Sequence, residues 1–187
     1  MSYSVALVTW NRNISNLISK NDEARIVSRH LAESLEPAHL LAASGGQKWI
    51  DFGSGAGLPA IPLAVAGVGR SWLLVESRRP KTLFLRKTCM DINLKSVHVA
   101  HARLEDLDSD QGPFDAFTAR ATVRLNPTLW LAEKWVAPGG RAFLWKGSGW
   151  KSEVEGDDRW KSSWGFEQVH ALSTPPIVVL VFVRKTS

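Results

Sequence analysis

The stretch Asp51-Phe52-Gly53-Ser54-Gly55-Ala56-Gly57-Leu58-Pro59 places a glycine at every second position from 53 to 57. It follows the short β-type run 49–52 and leads into an apolar segment, 59–68, with helical character. Glycines at such a strand-to-helix turn permit positive φ and let a ligand lie against bare backbone. Open α/β sheets hold their ligands at this edge, beyond the carboxyl ends of the strands. A dinucleotide fingerprint needs its third glycine at position 58, where Leu58 stands, so a dehydrogenase is disfavoured. No lysine followed by Ser or Thr closes the loop, so nothing points to a nucleoside triphosphate.

The flanking sequence repeats the strand-helix alternation. Strands are expected at 71–76, 97–100, 115–121 and 141–145, with helices at 80–93 and 127–136. Pro138-Gly139-Gly140 reads as a stop signal before the strand at 141. Two closing strands, 165–172 and 177–185, lie too close together for a helical crossover and should pair antiparallel. Residues 11–43 read as helical, from apolar positions recurring at helix-like intervals. The expected fold is an α/β doubly wound, mostly parallel seven-stranded sheet, with a C-terminal antiparallel hairpin and an N-terminal helical segment. At 187 residues it forms one domain, 1–187, with the helical segment at 1–45 and the Rossmann-like core at 46–187.

Composition narrows the chemistry. One cysteine, Cys89, excludes an internal disulfide, a Cys₃ or Cys₄ metal site and two-thiol chemistry; no metal is expected. A buried, inert thiol is the reading for Cys89, on the 80–93 helix. Residues 1–10 lack a basic n-region and cleavage site, and the uncharged run 52–69 holds five glycines and two prolines. The expectation is a cytoplasmic chain without a membrane span. Nine tryptophans are scattered along it, most of them expected in the core. The net charge of +5 leans toward a polyanionic partner.

Two acids extend the site. Glu76 ends the second strand, 25 residues after Asp51, where a carboxylate accepts hydrogen bonds from a ribose diol. Arg103-Leu104-Glu105 follows the third strand, with Glu105 placed to meet an adenine amino group and Leu104 the ring. Glycine loop (Gly53, Gly55, Gly57, Leu58), ribose acid and post-strand acid fall on one sheet edge. A nucleoside cofactor without phosphates fits them, and S-adenosylmethionine offers an adenine, a ribose and a zwitterionic tail.

With these residues on the page, the chain resembles the bacterial 16S rRNA guanine-N7 methyltransferase family over nearly its whole length. The resemblance is carried by Trp10-Asn11, Asn16-Leu17, Arg29-His30 and Ser34-Leu35, then by the block from Asp51 to Ala64. Glu76-Ser77, Lys81-x-x-Phe84-Leu85-Arg86, Arg103-x-Glu105, Phe114-Asp115, Arg120-Ala121 and Lys146-Gly147 complete it. Ala60, Ile18, Glu33 and Pro80 depart from the usual pattern. The resemblance implies a class I S-adenosylmethionine-dependent methyltransferase with cofactor contacts at Gly53, Leu58, Leu104, Glu105 and Arg120. It implies as partner 16S rRNA or the 30S subunit, methylated at N7 of one guanine in the decoding-region loop. A monomer is expected. The same fold acting on a small molecule or a protein is the alternative.

Guanine N7 carries a free lone pair at neutral pH, so the transfer calls for placement rather than a general base. Arg103, Arg120 and Lys146 are the candidates to orient cofactor or base, and arginine or lysine commonly reads the N7/O6 edge of guanine. His30 reads as a hydrogen-bonded helix residue rather than a catalyst. The basic run Arg78, Arg79, Lys81, Arg86 and Lys87 does not share one helical stripe, which leaves an RNA-facing and a solvated reading open.

Overall fold

A computed structural model describes residues 2–14, 17–120 and 123–186, with only the backbone of Lys20. Asn16 and Ala121, two residues that carry the resemblance, lie outside the described residues. Helix α1 (Tyr3–Asn13) opens the chain. A 3₁₀ stretch (Lys20–Arg25), a π-type turn (Ile26–Leu31), and the short helices α2 (Ala32–Leu35) and α3 (Ala38–Ala43) follow. The core then runs β1 (Lys48–Phe52), α4 (Ala60–Val65), β2 (Ser71–Glu76), α5 (Arg79–Asp91), β3 (Val97–His101) and β4 (Phe114–Arg120). It closes with α6 (Leu125–Glu133), β5 (Val136–Lys146), α7 (Trp150–Gly156), β6 (Trp164–Ala171) and β7 (Val178–Arg184).

The seven strands lie in the order β3-β2-β1-β4-β5-β7-β6. The first five are parallel, and β7 enters antiparallel between β5 and β6. Strands buried on both faces explain the near-continuous apolar runs of β2 and β7. One core layer holds Trp49, whose ring stacks on Trp72 at 4.9 Å and on Phe143 at 5.5 Å. The other holds Phe117, Leu129, Trp164 and Phe182. Six of the nine tryptophans are buried, while Trp130 is largely exposed.

Two expectations need correction. Residues 11–43 read as helical, and they are not helical throughout. The first helix starts at Tyr3 and ends at Asn13. There the Asn11 carboxamide oxygen takes the N–H groups of Leu17 and Ile18, at 2.7 and 3.0 Å. A side chain that captures backbone donors in this way competes with the next helical turn. Likewise Pro138-Gly139-Gly140 does not precede the strand but sits inside it. Phe114 pairs with Val136 and Ala116 with Arg141, so the intervening residues bulge from the ladder around Gly139, at φ +80°. Among the described residues no helix is long and apolar enough to cross a membrane.

Candidate functional site

After β1 the chain moves to β2 on one side, whereas β4 occupies the other. The connections that leave the paired carboxyl ends of β1 and β4 therefore part, and a crevice opens at this switch point. A cavity of about 400 Å³ lies there, within the roughly 300–1,000 Å³ typical of small-molecule sites. Gly53, Ser54, Gly55, Ala56 and Leu58 form one wall, and Arg120, Trp145, Lys146 and Gly147 the floor. Asp22, Arg29, His30 and Glu33 of the N-terminal segment stand opposite. A second hollow, of about 350 Å³, lies between α6 and residues 159–164 and gathers none of the residues selected from the sequence.

The glycine wall is built mainly by backbone. Gly53 and Gly55 have φ of +66° and +55°, in the left-handed region open to glycine. A Cβ added to Gly55 would meet nothing closer than 3.6 Å, so its open face belongs to the cavity. Gly57 does something else. Its φ is +85° and an added Cβ would fall 2.5 Å from Ile61 Cδ1, so it lets α4 pack tightly under the loop. Glu76 is buried and braces the loop: Gly55 N–H donates to its Oε2 at 3.0 Å and Arg78 N–H to its Oε1 at 2.7 Å. Beneath, Asp51 is fully enclosed, with Thr118 Oγ1 donating to Oδ1 at 2.5 Å and Oδ2 without a hydrogen-bond partner among the described residues. Burial pushes the Asp51 carboxyl up to about 7, against the opposing effect of the Thr118 bond.

The opposite wall is held by charged side chains. Arg120, at the end of β4, donates to Glu33 Oε2 at 2.5 Å, to His30 Nδ1 at 2.7 Å and to the His30 carbonyl at 3.2 Å. A third partner is Ser34 Oγ at 3.3 Å. Glu33 is only 1% exposed and also takes Arg29 Nε at 3.2 Å. Arg29 reaches on to Asp22 Oδ1 at 2.7 Å. Because a guanidinium can only donate, His30 Nδ1 is an acceptor and its ring is neutral. Burial and the nearby Arg120 both hold its pKa below the ordinary histidine value. The segment is also fastened at its start, where the buried Tyr3 hydroxyl donates to the Ala56 carbonyl at 2.6 Å. Trp145 Nε1 donates to the Glu33 carbonyl at 2.9 Å.

A sequence profile for rRNA small subunit methyltransferase G, the GidB family, matches residues 1–177. The chain belongs to this family. A ribosomal RNA small subunit methyltransferase G from Stutzerimonas stutzeri is 35% identical over 150 residues, covering 74% of this chain and 68% of that protein. The protein of the same name from Paracoccus denitrificans is 34% identical over 178 residues, covering 94% and 88%. Among solved structures, the N-methyltransferase NodS from Bradyrhizobium japonicum, in complex with S-adenosyl-L-homocysteine, aligns with a TM-score of 0.67. It is 11% identical, and the match covers 97% of this chain and 99% of NodS. An rRNA methylase from Streptococcus thermophilus aligns with a TM-score of 0.58 at 16% identity, covering 81% and 95%. At these identities the likeness is one of fold. The seven-stranded sheet with its reversed β7 is the class I methyltransferase architecture.

Of the residues selected from the sequence, the cavity brings together Gly53, Gly55, Leu58, Arg120 and Lys146. Gly57 and Glu76 stand behind that wall. Leu104 is wholly buried in the core, while Glu105 and Arg103 are exposed, and none of the three lines the cavity. Cys89 is buried, which pushes its thiol up to about 11. The run 78–87 separates by partner: Arg86 donates to the Val99 carbonyl, Lys87 pairs with Asp91, and Lys81 turns to the cavity. Asp22, Glu33 and Lys81 were not selected as site residues. Glu33 takes its role from a partner far along the chain, Arg120 being 87 residues away, whereas Asp22 pairs locally with Ser19 and Arg29. Among the described residues no cluster of His, Cys, Asp or Glu could hold a metal ion.

Proposed function

We propose that the chain transfers the methyl group of S-adenosylmethionine to N7 of one guanine in the decoding-region loop of 16S rRNA, offered as free rRNA or within the 30S subunit. The observation that carries this is the cavity at the β1/β4 switch point, with bare glycine backbone on one side and a charged wall on the other. The residues present suit the cofactor. The open face of Gly55 leaves room for a ligand against the backbone, and each Glu76 oxygen keeps a second lone pair for a ribose diol. When bound, S-adenosylmethionine supplies an electrophilic methyl group on a sulfonium. Gly53, Gly55, Leu58 and Glu76 would hold it, and its adenine would extend toward the 104–105 turn, where Glu105 is exposed and the Leu104 side chain is enclosed.

The chain's own contribution is placement. N7 of guanine attacks without losing a proton, so a general base is unnecessary, and the side chains at the cavity agree with this. His30 is engaged as an acceptor by Arg120, and the Cys89 thiol is buried away from the cavity. In-line positioning alone can contribute about 7–11 kcal/mol of barrier lowering when well executed. Arg120 and Lys146, on the floor, and Arg103 outside it are the groups available to orient cofactor or base. The supporting context is the family membership and the names its relatives carry. We further propose a cytoplasmic monomer.

The test is methyl incorporation from labelled S-adenosylmethionine into 16S rRNA, 30S subunits and unrelated small-molecule and protein acceptors, with the modified nucleotide mapped by mass spectrometry. N7-methylguanine at one decoding-region position supports the proposal. Incorporation confined to non-RNA acceptors contradicts it.

A further inference from the structure

The charges around the cavity are almost all matched within the protein. Arg29 is paired with Asp22 and Glu33, Arg120 with Glu33, and Lys146 with Glu153 at 2.8 Å. Asp22 accepts from Ser19 and Arg29. Lys81 is the exception. It lines the same cavity, is half-buried, and has no acid or carbonyl partner among the described residues. Its Nζ stands 3.8 Å from where a Cβ of Gly55 would lie, over the open face of the glycine loop. It is the third residue of the 13-residue helix α5, whose first turn carries no acid of its own; the nearby Glu76 carboxylate is engaged by the N–H groups of Gly55 and Arg78. An ammonium held between backbone and cavity with no counter-charge is a binding site for an anion.

We infer that Lys81 binds an oxyanion inside this cavity, either the carboxylate of the donor's amino-acid tail or a phosphate of the acceptor nucleotide. The inference rests on reading the cavity as the methyl-transfer site. The two anions share the chemistry that an ammonium recognises, a compact group of charged oxygens. Adenosine itself carries no anion, so the adenosine half of the donor gains nothing from Lys81.

The experiment uses the full chain as wild type, Lys81→Gln and Lys81→Arg. Calorimetry measures binding of S-adenosylmethionine and of 5′-methylthioadenosine, which keeps the adenosine and lacks the carboxylate. Filter binding to 16S rRNA is measured over a range of salt. If the carboxylate is the ligand, Lys81→Gln weakens S-adenosylmethionine about tenfold or more and leaves 5′-methylthioadenosine unchanged. If a phosphate is the ligand, the rRNA affinity falls and its log–log salt slope shrinks by about 1, with cofactor binding intact. In either case Lys81→Arg restores most of the loss. Equal affinity of Lys81→Gln and wild type for both ligands overturns the inference, as does a loss shared by 5′-methylthioadenosine. A wild type that binds S-adenosylmethionine and methylates rRNA keeps the functional reading standing even then. A wild type that does neither removes both.

Discussion

The two walls of the cavity are made by different physics. The glycine wall, residues 53–58, is held mainly by contacts within about one strand-helix-strand unit, backbone turns, positive φ and the bond from Gly55 to Glu76 across 21 residues, with one distant tie from Tyr3 to Ala56. The opposite wall, residues 17–34, is held by side chains reaching strands more than 80 residues away, with Glu33 and Arg120 at the centre. A backbone wall tolerates changes of side chain except where a Cβ intrudes. A wall held by buried ions does not tolerate loss of one partner, because the other charge is left in a poor solvent.

The largest expected effect therefore lies in the charged wall. Glu33→Ala leaves the largely buried Arg120 without its carboxylate, while Arg29 keeps Asp22, and should cost about 3–5 kcal/mol, the range for breaking a buried pair. Urea unfolding checks this, and a loss below about 1 kcal/mol would mean the wall is held by apolar contacts instead. On the glycine side, Glu76→Ala should weaken S-adenosylmethionine binding by about 1.5–3 kcal/mol, the scale of hydrogen bonds to a charged group. The loop-bracing role adds to that figure, and calorimetry that finds an unchanged Kd removes Glu76 from the site.

Asp51, under the loop, gives a smaller and pH-dependent effect. In the folded chain it holds its proton up to about 7, whereas a free aspartate ionises near 3.8. Between these values the unfolded chain binds fewer protons, so folding loses stability as pH rises, and below about 3.8 the contribution is fully present. Asp51→Asn lacks this loss. Its stability relative to wild type should improve from pH 5 to pH 8 by roughly 2–3 kcal/mol, given about 1.4 kcal/mol per pH unit up to the folded value. A relative stability that is flat with pH would show that Asp51 ionises normally.

The same contrast explains which parts could be read from the sequence. The glycine loop, β2 ending at Glu76, and the antiparallel closing pair are local patterns, and the structure reproduces them nearly residue for residue. Residues 11–43 of the N-terminal segment read as helical because periodicity counts apolar positions. The segment's actual path is set by Asn11 capturing two backbone donors and by Arg120 drawing in His30, Glu33 and Ser34. The expectation for Arg120 came from the family pattern, and it gave no hint of these partners. Lys81 was visible only as one member of a basic run. Its separation from Arg86 and Lys87 appears once α5 is packed against the sheet and the glycine loop covers its first turn.

The central claim is that the crevice between the ends of β1 and β4 is where the methyl donor sits. A crystal structure of the protein grown with S-adenosylmethionine tests it most directly. The account predicts the donor against the open face of Gly55, its ribose within hydrogen-bond reach of Glu76 and its methyl group pointing toward the side lined by Asp22 and His30. A donor bound elsewhere, or this crevice closed by side chains while binding persists in solution, would contradict it.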